Sequence, residues 1–140
     1  LEVKAAGVCG SDLHGYTGAT GRRTPPLVMG HEATGRVLSV GPSVTDVGEG
    51  DRVALMPLLT EGGRRQLLGM DAPGAYATHV VWPAGRLFRL PDGLSYDAGA
   101  FAEPLAVALR AQGVSRRLAP EFGTAFVAGA GTIGLLIASV

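Results

Sequence analysis

Apolar positions along the first part of the chain come in short runs, Val3 to Ala6, Gly35 to Val40, Asp51 to Leu55, Ala75 to Val81 and Arg86 to Leu90, separated by turn-forming Gly and Pro. Short runs closed by frequent turns predict strands, and their number predicts a mainly β domain, a small barrel or sandwich. Alternation is only rough in Arg36-Val37-Leu38-Ser39-Val40, so strand ends are fixed to within a few residues. After Pro91-Asp92-Gly93-Leu94-Ser95 the texture becomes Ala-rich: Tyr96 to Phe101 and Leu105 to Gln112 carry good helix formers and predict two helical segments meeting at Pro104. A polar connector from Gly113 to Gly123 follows. Thr124-Ala125-Phe126-Val127-Ala128 then predicts an apolar strand running into Gly129-Ala130-Gly131-Thr132-Ile133-Gly134 and a helix from Ile133 to Ser139, the opening of a parallel α/β unit.

The length of 140 residues gives room for one packed domain and the stub of another. With 46% hydrophobic and 17% charged residues the chain reads as a soluble globular protein, and it has no run of roughly eighteen apolar residues to span a bilayer. Its formal net charge of zero removes the electrostatic footprint of a nucleic-acid binder, leaving a small molecule as the expected partner. Opening on Leu1 without a signal-peptide pattern, it reads as internal to a longer protein. The single cysteine, Cys9, excludes an intramolecular disulfide and fits a reducing cytoplasm, so its role is as thiol, thiolate or metal ligand.

Two groups of residues carry candidate chemistry. Gly129, Gly131 and Gly134 fit the dinucleotide fingerprint, in which the first glycine makes the turn, the second admits a pyrophosphate and the third lets helix and strand pack closely. The acidic residue that separates NAD from NADP would fall past Val140, so the cofactor is NAD or NADP. The second group is Gly7-Val8-Cys9-Gly10-Ser11-Asp12-Leu13-His14, then Gly30-His31-Glu32, then Ala102-Glu103-Pro104-Leu105. Thiolate, imidazole and carboxylate suit zinc, yet no local CxxC or HExxH spacing is present, and a buried Cys or a structural His explains the same residues. His79 reads as a surface or edge residue of a strand, and Arg22 and Arg23 as a solvated loop beside Thr24-Pro25-Pro26. Tyr16, Met56 and Trp82 suit either a pocket or the core.

The collinear segments GVCGSDLH, GHEATGRVLSVG, GDRV, GAYATHVVWP, LPDGLSYDAGAFAEPLAVALRA and VAGAGTIGLL closely resemble the zinc-containing medium-chain dehydrogenases, especially the branch with sorbitol and threonine dehydrogenases. The resemblance implies a GroES-like β-barrel catalytic domain over residues 1–104, truncated at its start, and the beginning of an incomplete NAD(P)-binding Rossmann domain over 105–140. It further implies a catalytic zinc on Cys9 and His31, with Glu32 and Glu103 as alternative acidic ligands. By the same carry-over Ser11 accepts the substrate hydroxyl proton, His14 passes it toward solvent, and Asp12 bonds His31 and fixes its tautomer. Many relatives hold a structural zinc on four cysteines between Gly50-Asp51-Arg52-Val53 and Gly74-Ala75-Tyr76; that segment is shorter here and has no cysteine, which implies no structural zinc. Its Glu61-Gly62-Gly63-Arg64-Arg65-Gln66 reads as a solvated turn. The implied activity is reversible oxidation of an alcohol or polyol by NAD(P), in a protein for which homo-oligomer formation is open when full length and of which this fragment is expected to be inactive alone. The alternatives are a zinc-free quinone or enoyl reductase of the same superfamily and a non-catalytic GroES-like module.

Overall fold

The computed structural model describes residues 1–121 and 123–140, and the chain divides into two compact units, Leu1–Phe101 and Ala102–Val140. In the first unit β1 (Glu2–Gly7), β2 (Glu32–Arg36), β3 (Arg52–Leu55) and β6 (Leu87–Arg89) form an antiparallel sheet in the order β1-β2-β3-β6, and β4 (Leu58–Glu61) pairs with β5 (Arg64–Leu67) as a separate hairpin. Two short α-helices, α1 (Gly10–Tyr16) and α2 (Tyr96–Gly99), and a single 3-10 turn at Ala84–Arg86 accompany the strands. One core cluster gathers Ala33, Leu55, Leu68, Ala75 and Val80, with Trp82 packed against it; a second gathers Val37, Val47 and Val53. The indole N–H of Trp82 donates to the Met56 carbonyl at 2.9 Å, giving the ring's polar edge a partner.

Several expected boundaries move. Of the run expected as a strand from Gly35 to Val40 only Gly35 and Arg36 lie in β2, which starts at Glu32, where its ladder with β1 begins at the Gly7–Glu32 pair, and ends at Arg36. Ala75 to Val81 forms no strand. The N–H groups of Gly74, Ala75 and Tyr76 are spent on the carbonyls of Val28, Gly30 and Met29, so only an isolated bridge, Glu2 with His79, reaches the sheet. His79 is exposed there, at the sheet margin. The segment expected as a solvated turn is the tip and second strand of the β4–β5 hairpin: Gly62 and Gly63, with φ of 55° and 77°, supply the two left-handed residues of a tight two-residue turn.

The second unit consists of α3 (Ala102–Leu118) and α4 (Thr132–Ser139). Pro104 does not separate two helices. It sits in the first turn of α3, where a missing N–H costs nothing, and the break falls earlier, at Ala100 and Phe101. The expected connector is helical as far as Leu118, and its residue 122 lies outside the described residues. Thr124 to Ala128 carries no strand, since a strand exists only by pairing and this segment meets no partner among the described residues. In the turn after it Gly129 has φ of 112°, and a Cβ at Gly134 would collide with the Gly129 carbonyl.

Candidate metal centre

The β1–β2 register explains how residues distant in sequence meet. Gly7 at the end of β1 stands opposite Glu32 at the start of β2, so Cys9, two residues after Gly7, and His31, one before Glu32, leave the ladder at the same end. Cys9 then caps α1, His31 directly precedes β2 and Glu32 opens it. One ligand atom each from Cys9, His31 and Glu32 lie within 4.8 Å of one another. Tetrahedral zinc with sulfur, nitrogen and oxygen donors spaces them roughly 3.5 Å apart, so side-chain adjustment alone closes this group around a metal. The donor set fits zinc in kind as well, with one soft thiolate, one imidazole and one hard carboxylate.

The Glu32 carboxylate is 9% exposed and lies over the end of β1, where Gly7 leaves room for it: a Cβ at Gly7 would overlap Glu32 Oε2. His31 is buried, and its Nδ1 is a buried polar atom without a hydrogen bond. Asp12 Oδ1 lies 3.4 Å from that nitrogen, close enough for an ion-pair contact but outside hydrogen-bond alignment.

Asp12 itself is only 2% exposed and is the polar hub behind the group. Its Oδ1 also accepts from Arg23 Nη2 at 2.8 Å; its Oδ2 accepts from the Cys9 backbone N–H at 3.2 Å and from the Tyr76 hydroxyl at 2.8 Å. Tyr76 has a second acceptor, the Gly7 carbonyl, at 2.9 Å. Burial first, then the Asp12 carboxylate, and then Glu32 and Cys9, push the Tyr76 hydroxyl above the ordinary tyrosine range, so it stays a donor.

Ser11 and His14 lie one turn apart on α1, on one helical face, with Ser11 half-buried and His14 exposed. Ser11 Oγ is 3.5 Å from Arg23 Nη2. Glu103 is half-buried in the first turn of α3, in the second unit, where Gly129, Gly131 and Gly134 also lie. Arg23 corrects the sequence reading. It is buried against Asp12, with side-chain exposures of 3% and 2%, because that carboxylate and the carbonyls of Gly69 and Ser11 take up its donors. Arg22 is exposed, as are Tyr16 and Met56, which belong to no core cluster. Tyr76 gave no signal beforehand: its ring is partly exposed, and only its hydroxyl reaches the site.

The model of the alcohol dehydrogenase GroES-like domain matches residues 1–92. Among curated proteins the chain is 40% identical to sorbitol dehydrogenase 1 of Saccharomyces cerevisiae, over 100% of this chain and 43% of the yeast protein. It is 36% identical to (R,R)-butanediol dehydrogenase of Bacillus subtilis strain 168, over 98% of this chain and 45% of that protein. The chain thus spans less than half the length of these relatives. The yeast alignment runs over 159 positions against the 140 residues here, so that relative carries residues this chain lacks. Among solved structures, a short chain alcohol dehydrogenase from Escherichia coli CFT073 in complex with NADH superposes with a TM-score of 0.87 at 32% identity, covering 98% of this chain and 43% of that one.

Proposed function

Because the chain belongs to the alcohol dehydrogenase GroES-like domain family, we propose that it is the metal-holding part of an oxidoreductase that moves a hydride between an alcohol or polyol and NAD(P), giving a ketone or aldehyde. The observation that carries the reading is the convergence of Cys9, His31 and Glu32 on one point at the β1–β2 junction. Cys9 supplies the thiolate, and His31 its Nε2, since Nδ1 faces Asp12. Glu32 is the direct acidic ligand in this proposal, and Glu103 is the carboxylate against which that choice is tested. When bound, zinc supplies Lewis-acid polarisation of the alcohol oxygen, the effect that takes the pKa of water from roughly 15.7 to roughly 7.

The chain's own residues handle the proton. Ser11 Oγ receives the substrate hydroxyl proton, and the exposed His14 imidazole, one helical turn on, passes it to water. The second unit is the opening of the cofactor domain in this proposal: the Gly129 turn and the N-terminus of α4 meet the pyrophosphate of NAD or NADP, and close packing at Gly134 keeps helix and turn together. Hydride acceptance is the cofactor's chemistry; the protein's part is alignment.

Metal analysis of the intact protein tests this. One zinc per chain, lost in Cys9→Ser, is the expected result; two tightly held zincs or none after metal-replete expression sinks it. Glu32→Gln should lose metal, whereas Glu103→Gln should keep metal and lose alcohol-dependent reduction of NAD or NADP. Full zinc and full turnover in both variants removes both glutamates from the site.

A further inference from the structure

Outside the three candidate ligands lies a buried layer that nothing in the proton or metal chemistry uses directly. Arg23 reaches into the unit from the segment before β2. Its guanidinium spreads over four acceptors: Nε to the Gly69 carbonyl at 3.1 Å, Nη1 to the Ser11 carbonyl, and Nη2 to Asp12 Oδ1 at 2.8 Å and, more weakly, to Ser11 Oγ at 3.5 Å. Tyr76 comes to the same carboxylate from the other side, at Oδ2. Space for both is made by missing side chains. A Cβ at Gly15 would strike the Arg23 guanidinium, and one at Gly30 would stand 2.5 Å from the Tyr76 ring.

A carboxylate is free to rotate about its last bond, and Asp12 needs a fixed orientation because its two oxygens address different ligand segments. Oδ1 faces the His31 ring, and Oδ2 holds the backbone N–H of Cys9. Arg23 bonds the first oxygen and Tyr76 the second, so together they fix the carboxylate plane. The rigid guanidinium fork makes its bonds at once, which a lysine ammonium at the end of a flexible stem cannot reproduce.

We propose that Arg23 and Tyr76 are positioning residues of the metal centre, locking Asp12 so that the thiolate of Cys9 and the imidazole of His31 are presented to one metal ion in a fixed relative orientation. The proposal rests on the metal-site reading above. It accounts for a buried arginine in a segment that reads as a solvated loop, for an otherwise exposed tyrosine whose hydroxyl turns inward, and for two glycines placed where each side chain passes.

The test uses cobalt(II) as a spectroscopic substitute for zinc in the intact protein. Affinity is read by competition with a chromophoric chelator, ligand geometry by the thiolate-to-cobalt charge-transfer band and the visible ligand-field bands, and stability by urea denaturation of the metal-free protein. Tyr76→Phe keeps the ring over Gly30 and removes only the hydroxyl; about 10-fold weaker metal binding with shifted bands is expected, toward the lower end of the 10- to 100-fold range for groups that orient ligands. Arg23→Lys keeps the buried charge but not the fork and should lose more, up to about 100-fold. Should Arg23→Lys not fold, Tyr76→Phe decides alone. Arg89→Lys, on the β6 ion pair with Asp51, should match wild type in affinity and spectrum. Wild-type affinity and spectrum in Tyr76→Phe overturn the proposal, and so does weaker binding that merely tracks lower metal-free stability while the bands stay put. A wild-type protein that shows no thiolate–cobalt band overturns the Cys9, His31 and Glu32 centre itself, whereas normal bands in wild type with unchanged variants overturn only the outer layer.

Discussion

Three donors converge on Asp12, each an N–H or O–H: the Arg23 guanidinium, the Cys9 amide and the Tyr76 hydroxyl, while His31 Nδ1 faces it at 3.4 Å. Asp12→Asn therefore does two kinds of damage. It sets an amide NH₂ against a donor, and it leaves Arg23 buried without its counter-charge. Losing one partner of a buried pair costs about 3–5 kcal/mol, more than the simple loss of an orienting hydrogen bond. Urea denaturation of the metal-free variant should show a loss of that size, and a loss under about 1 kcal/mol would mean that solvent already compensates Arg23. At this scale Cys9, His31, Glu32 and Asp12 were singled out through the resemblance that GVCGSDLH and GHE carry, since no local CxxC or HExxH spacing points to them. Arg23 and Tyr76 were not. An arginine between Gly21 and Thr24-Pro25-Pro26 has the composition of a loop, and its burial is decided by an acceptor 11 residues away and by the missing side chain at Gly15.

The turn leading into β3 is closed by Asp51, whose Oδ2 accepts from the Gly48 N–H at 2.8 Å and from Arg89 Nε on β6 at 2.8 Å. The Gly48 bond first, and then Arg89, hold its carboxyl below the ordinary value of 3.8. A carboxylate whose pKa is depressed by folding stabilises the fold above its unfolded value, and the contribution is lost as pH falls through the folded one. Thermal midpoints of wild type and Asp51→Asn should accordingly differ at about pH 6, and the gap should start to shrink only as pH falls below the ordinary carboxyl value, closing through the lower folded one; a gap that does not shrink on further acidification would place the effect in packing rather than charge. The strands flanking this turn were readable from their apolar runs. The β4–β5 hairpin was missed although Gly62-Gly63 is a strong two-residue turn signal, because Arg64-Arg65-Gln66 lacks the apolar alternation that marks a strand. Val37 to Val40 and Ala75 to Val81 have the opposite history: strand-like side chains on backbone whose hydrogen bonds go mostly outside any ladder. Side-chain pattern reports burial, and ladder membership depends on which backbone lies alongside.

The two units differ in what holds them. The first has two buried clusters and a donor set that ties the end of β1 to the start of β2, so a bound metal adds its binding free energy to the folding of that unit. At free zinc about 1,000-fold above Kd the linkage is worth about 4 kcal/mol, and chelation should lower the calorimetric midpoint of the first unit by several degrees; an unmoved midpoint argues that the donors grip no metal. The second unit, residues 102–140, holds none of the three donors Cys9, His31 and Glu32 and leaves Leu118, Phe126 and Leu135 exposed. Its transition should be indifferent to chelator. The hollows at Gly15 and Gly30 also bear on ancestry. Gly15 excludes a methyl group only while Arg23 occupies the space, so acceptable changes at 15 and 23 depend on which comes first, whereas Gly30, with φ of 96°, disfavours any side chain even without the Tyr76 ring. A lineage that gives up the guanidinium at 23 opens position 15 to alanine; one that tries alanine first meets a barrier. The metal layer thereby acts as an evolutionary ratchet, and Gly15→Ala should harm wild type far more than it harms a background already carrying Arg23→Ala.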